Sequence, residues 1–299
     1  MKLVTFRIGS RPAAAGALVD ESVVDLGIES VLSIVEQGAN GLDRAAEALK
    51  RRSAVYPLAQ VALLAPIPQP PQMRDFLCFE KHLVQAFAAV AKMRGTEARV
   101  PQTWYERPIF YHPNRFNVCG TGTDVAWPAY SERMDFELEF GCWIGKPGKD
   151  IPRERAREHI FGYSIFNDFS ARDEQTKEMA GQLGPGKGKD FDNSNVIGPC
   201  LVTADELKDP YDLEMKVRVN GEEWGRGNSR DMHWKFEDCI AHASRSETLH
   251  PGEFFGSGTV GNGCGLESLR FLKPGDTVEL EVEGIGILRN RVVRPGMAA

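Results

Sequence analysis

The segment Met134-Asp135-Phe136-Glu137-Leu138-Glu139-Phe140 sets acids at alternate positions. On a β-strand alternate side chains share a face, so Asp135, Glu137 and Glu139 would stand together, opposite Phe136, Leu138 and Phe140. Like charges at that spacing repel one another unless something positive sits among them. Carboxylate oxygens suit a hard divalent cation such as Mg2+ or Mn2+. An amphipathic strand with a solvated acidic face would look the same in isolation. Three other segments tip the balance by concentrating acids with a histidine or a lysine: Arg74-Asp75-Phe76-Leu77-Cys78-Phe79-Glu80-Lys81-His82, Ile165 to Gln175, and Gly188-Lys189-Asp190-Phe191-Asp192.

Several better-known motifs fail on inspection. Gly256-Ser257-Gly258-Thr259-Val260-Gly261 matches G-x-G-x-x-G, but Gly263 and Gly265 follow where a helix is required, and no acid stands at the ribose-binding distance. Gly181 to Lys187 approaches a phosphate loop, yet Gly188 replaces its Ser or Thr. Asp190-Phe191-Asp192-Asn193-Ser194 opens like a calcium loop and lacks both the sixth-position glycine (Asn195) and the twelfth-position acid (Leu201). His242, Glu247 and His250 lack metal-helix spacing, and no G-x-S-x-G elbow is present.

The surviving segments resemble the fumarylacetoacetate hydrolase family. Asp135-Phe136-Glu137-Leu138-Glu139, with Ile144-Gly145-Lys146 after it, looks like the family's metal-binding strand. Phe161-Gly162-Tyr163 and Asn167-Asp168-Phe169-Ser170-Ala171-Arg172-Asp173 resemble its signature, and Gly188 to Asp192 with Ile197-Gly198-Pro199 its lysine segment. Gly256 to Gly265 and Val282 to Arg291 match its closing strands, so the likeness spans about residues 70 to 294.

The resemblance implies an α+β, β-rich fold, a mixed β-sandwich roll with a small N-terminal α+β domain. It also implies a site. Asp75, Glu137, Glu139 and Asp168 would hold Mg2+, with Mn2+ or Ca2+ as alternatives. His82 would be the base, oriented by Glu267. Lys189 would stabilise an oxyanion, and Arg172, Gln175 and Thr259 would contact substrate. Within the family the pattern is nearest to fumarylacetoacetase. Leu77 and Met179, however, stand where that enzyme uses tyrosines, which makes its own substrate a poor fit. Gln85 occupies the place where acylpyruvase and decarboxylase relatives carry a glutamate three residues after the histidine, which leaves Glu267 as the partner of His82.

The leading expectation is metal-dependent hydrolysis of a C–C bond in a β-diketo acid of acylpyruvate type, as at the end of an aromatic or sugar catabolic route. In that reaction His82 activates water. A decarboxylase, isomerase or dehydratase of a 2-oxo acid is the first alternative, and a catalytically inactive metal-binding relative the second. Family precedent makes the assembly a homodimer.

Composition excludes other classes. The chain has 299 residues, 42% hydrophobic and 26% charged, with a net charge of -6, so no basic surplus exists for nucleic acid. No apolar run is long enough for a membrane span. Cys78, Cys119, Cys142, Cys200, Cys239 and Cys264 are scattered, without a C-x-x-C pair, so neither a zinc site nor a disulfide framework is expected. The N-terminus has no signal-peptide pattern, and the cytoplasm is the expected compartment.

The elements that must position these residues are legible in outline. Strands are expected at Leu3 to Ile8 and Gly16 to Val24, with helices near Ser30 to Gln37 and Leu42 to Leu49, forming a unit over 1–65. Pro66-Ile67-Pro68-Gln69-Pro70-Pro71 reads as a stiff linker over 66–74. The catalytic domain would span 75–299. It would open with a helix from Glu80 to Met93 ending at Gly95. Strands follow at Pro108 to Tyr111, Asp135 to Ile144, His159 to Asn167, Val196 to Thr203, Asp212 to Val219 and Thr277 to Val282. Short helices are expected at Glu154 to Glu158, Ala171 to Ala180 and Trp234 to Ser246. Strands and helices do not alternate strictly, which disfavours a parallel doubly wound sheet.

Overall fold

A computed structural model describes residues 1–294, the Arg94 side chain excepted; the last five residues of the expected catalytic domain lie outside the described residues. It is strand-rich, as expected. A 12-stranded sheet is built on the order Ala54–Pro57, Ser22–Ile28, Ala14–Val19, Lys2–Arg7, Asn195–Thr203, Ile160–Asp168, Leu138–Ile144, Phe254–Gly256, Met73–Phe76, Phe110–Tyr111. A second, five-stranded sheet runs Glu222–Asn228, Glu214–Val219, Thr277–Val282, Gly286–Val293, Asp124–Ala126. Alternation on the second sheet is clean: Met215, Val217, Val219, Val278, Leu280 and Val282 are buried. They pack with Phe140 and Cys142 from the first sheet in one core, the two-layer arrangement of a β-sandwich roll.

The N-terminal segment does not make a sheet of its own. Lys2–Arg7 pairs antiparallel with Ala14–Val19 on one side and Asn195–Thr203 on the other, so its strands extend the main sheet. The Pro-rich segment is docked, not free: Ile67 and Ala65 are buried in a core cluster with Leu3 and Leu201, and the Thr5 hydroxyl donates to the Pro66 carbonyl at 2.7 Å. Proline removes backbone donors but leaves apolar surface to bury, and here that surface decides.

Two expected strands are divided. Gly16 to Val24 is a hairpin, Ala14–Val19 turning through Asp20 (φ 49°) into Ser22–Ile28. A short acid tolerates the left-handed backbone that this turn needs. Asp135 to Ile144 breaks at Phe136–Glu137 into Met134–Asp135, which pairs with Ser170–Ala171, and Leu138–Ile144 in the main sheet. The break ends the simple alternation. Asp135 turns away from Glu137 and Glu139, because its carboxylate accepts from Arg172 Nε at 2.8 Å and from the backbone N–H groups of Gly265 and Leu266.

The helix Glu80–Arg94 closes on Gly95 at φ 66°, as expected for a left-handed C-cap. Strands absent from the sequence reading include Met73–Phe76 and Phe254–Gly256, each too short and flanked by too many glycines or prolines to show a period. They lie side by side in the main sheet beside Leu138–Ile144, and they carry the site.

Candidate active site

Four carboxylates meet at one end of the main sheet. Asp75 comes from Met73–Phe76, Glu139 from Leu138–Ile144, Asp168 from the last position of Ile160–Asp168, and Glu137 from the break before Leu138. Each offers an oxygen within 4.8 Å of the others, and all four residues are buried. Asp75 reaches the group across an intervening strand because residue 256 is glycine: Gly256 pairs with Asp75, and a Cβ there would lie 2.4 Å from Asp75 Oδ1. The glycine run that imitates a nucleotide motif thus makes room for a carboxylate. Gly258, at φ 73°, passes the Phe76 carbonyl where a Cβ would lie 2.3 Å away, and its N–H donates to Asp75 Oδ1 at 3.3 Å.

Lys189 Nζ lies 2.6 Å from Glu137 Oε2, 2.7 Å from Asp168 Oδ2 and 3.2 Å from the Asp168 carbonyl. An ammonium has three donors, and these contacts engage them. Arg172 holds Asp135 through Nε, meets Glu137 Oε1 through Nη2 at 2.8 Å, and donates from Nη1 to Gln175 at 2.9 Å. Burial opposes the Glu137 charge, but Lys189 and Arg172 overcome it and hold its carboxyl below the usual range. Asp75 and Glu139 go the other way: burial first, then Asp168 for the one and Asp75 for the other, push them well above it. Asp168 is also raised, by burial more than Lys189 can reverse, and burial likewise outweighs Arg172 at Asp135. For Lys189, burial is overcome by Asp168 and Glu137, which raise its pKa.

Two residues join this group that the sequence reading gave no role. The Tyr111 hydroxyl donates to Asp168 Oδ2 at 2.6 Å, and Asn167 Oδ1 accepts the Glu137 N–H at 3.0 Å. Asn167 lay within a quoted motif, and the alternation of its strand could have flagged it. Tyr111 had no local signal, since its proximity depends on Phe110–Tyr111 pairing with Met73–Phe76.

Does the group suit a divalent ion? Both Glu139 oxygens and Asp168 Oδ1 are buried without a hydrogen-bond partner among the described residues. Buried acceptors of this kind are costly unless something positive satisfies them. The donor set is all oxygen, which fits Mg2+, Mn2+ or Ca2+ over a thiolate-seeking metal. The residues fit the ion.

His82, in the first turn of Glu80–Arg94, opens onto the same chamber of about 530 Å³ as Asp75, Glu137, Asp168, Arg172, Gln175 and Lys189. Its Nδ1 lies 2.9 Å from Glu267 Oε1. Glu267 is fixed in turn by its own short helix, Gly265–Ser268, where Oε2 accepts the Cys264 N–H at 3.1 Å. Gln85 takes no part in this pairing; it exchanges hydrogen bonds with Asn262 on the glycine loop. Thr259 is buried in that loop, does not line the chamber, and its hydroxyl has no partner among the described residues. Leu77 and Met179 do line it.

The family model for the fumarylacetoacetate (FAA) hydrolase C-terminal region matches residues 73–293. The chain belongs to the fumarylacetoacetate hydrolase family. A mitochondrial oxaloacetate tautomerase of Xenopus laevis is 33% identical to it, covering 98% of this chain and 90% of that protein. Among solved structures, fumarylacetoacetate hydrolase from Exiguobacterium antarcticum superposes with a TM-score of 0.79 at 26% identity, covering 98% of this chain and all of that one. A probable 2-hydroxyhepta-2,4-diene-1,7-dioate isomerase from Mycobacterium abscessus gives 0.78 at 26% identity over 99% and 100%. Family members similar to this chain therefore include a tautomerase, a hydrolase and an isomerase, all acting on small molecules. Among the described residues no helix is long and apolar enough to cross a membrane.

Proposed function

We propose that this chain is a divalent-cation-dependent enzyme that moves a proton on the carbon next to the carbonyl of a 2-oxo acid, a tautomerase or isomerase. The observation that carries the reading is that His82, paired with Glu267, opens onto the chamber that Asp75, Glu137 and Asp168 also line. Asp75, Glu137, Glu139 and Asp168 would hold a divalent ion, which when bound would polarise the carbonyl as a Lewis acid. With Nδ1 turned to Glu267, Nε2 of His82 takes the proton from the carbon. The C–H electron pair becomes the C=C bond of the enol, the former carbonyl oxygen takes up a proton from water, and the imidazolium of His82 returns its proton to solvent. The Glu267 carboxylate fixes the imidazole tautomer and stabilises its cation.

This differs from the expected C–C hydrolysis in the target of His82, a C–H proton instead of water, and in the role of Lys189. Hydrolysis assigns Lys189 to an oxyanion, whereas its three donors are already directed at Glu137 and Asp168. Lys189 acts here as the counter-charge that keeps those carboxylates together. The identity to a tautomerase over nearly the whole chain supports the same reading. Hydrolysis of a diketo acid is the second reading, favoured by the full-length likeness to the Exiguobacterium enzyme. A homodimer completes the proposal and is checked by light scattering on the eluting protein.

The deciding experiment incubates the protein and Mg2+ in D2O with oxaloacetate, simple 2-oxo acids and acylpyruvates, followed by ultraviolet absorbance and NMR. Deuterium entering the carbon beside the carbonyl, faster than without enzyme and without fragmentation, is the expected result. Release of two carboxylic acids, or of a carboxylic acid and a ketone, from an acylpyruvate establishes hydrolysis instead, and CO2 release marks decarboxylation. Neither exchange nor cleavage sinks both readings.

A further inference from the structure

We propose that the acid turned over here carries an apolar hydrocarbon or aryl group at the end remote from its 2-oxo carboxylate, and that the chamber wall is built to hold it. This rests on the 2-oxo acid reading above and specifies its substrate. Leu77, Leu83, Phe87, Val90, Met179 and Leu266 give the chamber an apolar wall. Leu83, Phe87 and Val90 recur at helical spacing on Glu80–Arg94, so they form one stripe. The stripe starts beside His82 and runs about 10 Å from its turn, at roughly 1.5 Å per residue. A substrate whose reacting carbon lies at His82 would send its far end along that stripe.

Among the described residues, no free cation there would receive a second carboxylate. Apart from His82, the described cationic residues lining the chamber are Arg172 and Lys189, and both are paired with Asp135, Glu137 or Asp168. Lys81, one residue before His82, lays its stem against Gly261 on the glycine loop instead. An anion pressed on the apolar wall would lose its hydration and gain no donor. Apolar surface is also bare at this place: Met179, which lines the chamber, is 52% exposed. Exposed apolar surface continuous with a catalytic chamber marks a surface that something apolar covers.

The test uses the Mg2+-loaded full chain and a series, 2-oxobutanoate, 2-oxohexanoate and 2-oxooctanoate, beside the dicarboxylate oxaloacetate. Deuterium exchange gives kcat/KM, and calorimetry gives Kd. Each added methylene should raise kcat/KM or tighten Kd about fourfold until the chamber fills. Met179→Arg, at a half-exposed position that folding tolerates, should flatten the series and improve oxaloacetate by about tenfold. A flat series in both measurements, or oxaloacetate preferred by the unaltered protein, overturns the inference while leaving the 2-oxo acid reading intact. Absence of exchange with every acid removes that reading; tightening of Kd along the series would still uphold the apolar subsite, and a flat Kd would end it.

Discussion

The imidazole of His82 and the carboxylates of the chamber are separable in experiment because they perform different tasks. His82→Ala should lower kcat by about 10²- to 10⁴-fold, the usual worth of a positioned general base, with Mg2+ affinity unchanged in calorimetry. Glu267→Gln should lower kcat less and distort the pH profile, since the amide still bonds Nδ1 but cannot stabilise the imidazolium. Wild-type kcat in both variants would remove the pair from the mechanism. Glu139→Gln acts on the ion instead. Saturating Mg2+ at 100 times its Kd stabilises a one-site protein by about 2.7 kcal/mol. That rise in Tm should be present in the unaltered chain and absent from the variant. The residues of this site were legible one by one because carboxylate, imidazole and ammonium are distinctive in motif context. Apart from Glu267 beside His82, their partners were not. Nothing local in the sequence says that Asp135 would leave the acidic face for Arg172, since the departure follows from a strand break and from two backbone N–H groups 130 residues away.

At the scale of elements, the metal-free site should destabilise its own strands as pH rises. Asp75 and Glu139 have folded pKa values above those of an unfolded chain, so the folded state binds the additional protons. Stability then falls as pH climbs from the ordinary carboxylate pKa, near 4, through the raised values. Glu137, shifted downward, opposes this only below that ordinary pKa. Differential scanning calorimetry in chelator should therefore show Tm decreasing between about pH 5 and 8, with Mg2+ reducing the slope. A Tm rising over that range in chelator would contradict the assignment of the buried charges. Gly256→Ala tests the strand that Asp75 reaches across. The added methyl would sit 2.4 Å from Asp75 Oδ1, and displacing that carboxylate should weaken the ion by about 10- to 100-fold. Wild-type affinity would show that Asp75 does not ligate it. Helix Glu80–Arg94 was readable because its composition and Gly95 stop are local signals. Phe254–Gly256 was not, because three residues carry no period and its one glycine serves the neighbouring strand of Asp75.

For the whole molecule, the first 65 residues look independent in sequence and are bound into the main sheet in space. Leu3, Ala15 and Ala17 share a buried cluster with Ile197, Leu201 and Phe254. A fragment beginning at residue 66 would present Asn195–Thr203 as an open edge and leave that cluster uncovered. It should be insoluble or lack a cooperative thermal transition by circular dichroism; a soluble fragment with wild-type Mg2+ affinity would show that the segment is dispensable. The sequence pattern conveyed the strand-rich class and two inner strands of the second sheet, Glu214–Val219 and Thr277–Val282. Which strands lie side by side depends on long-range pairing that periodicity does not encode. The carboxylate group itself draws on Met73–Phe76, Leu138–Ile144 and Ile160–Asp168, brought together around Phe254–Gly256. No short peptide cut from this chain can therefore chelate in the native manner. A captured cation becomes a rivet through the middle of the sheet, and how slowly EDTA extracts it would time the parting of those strands.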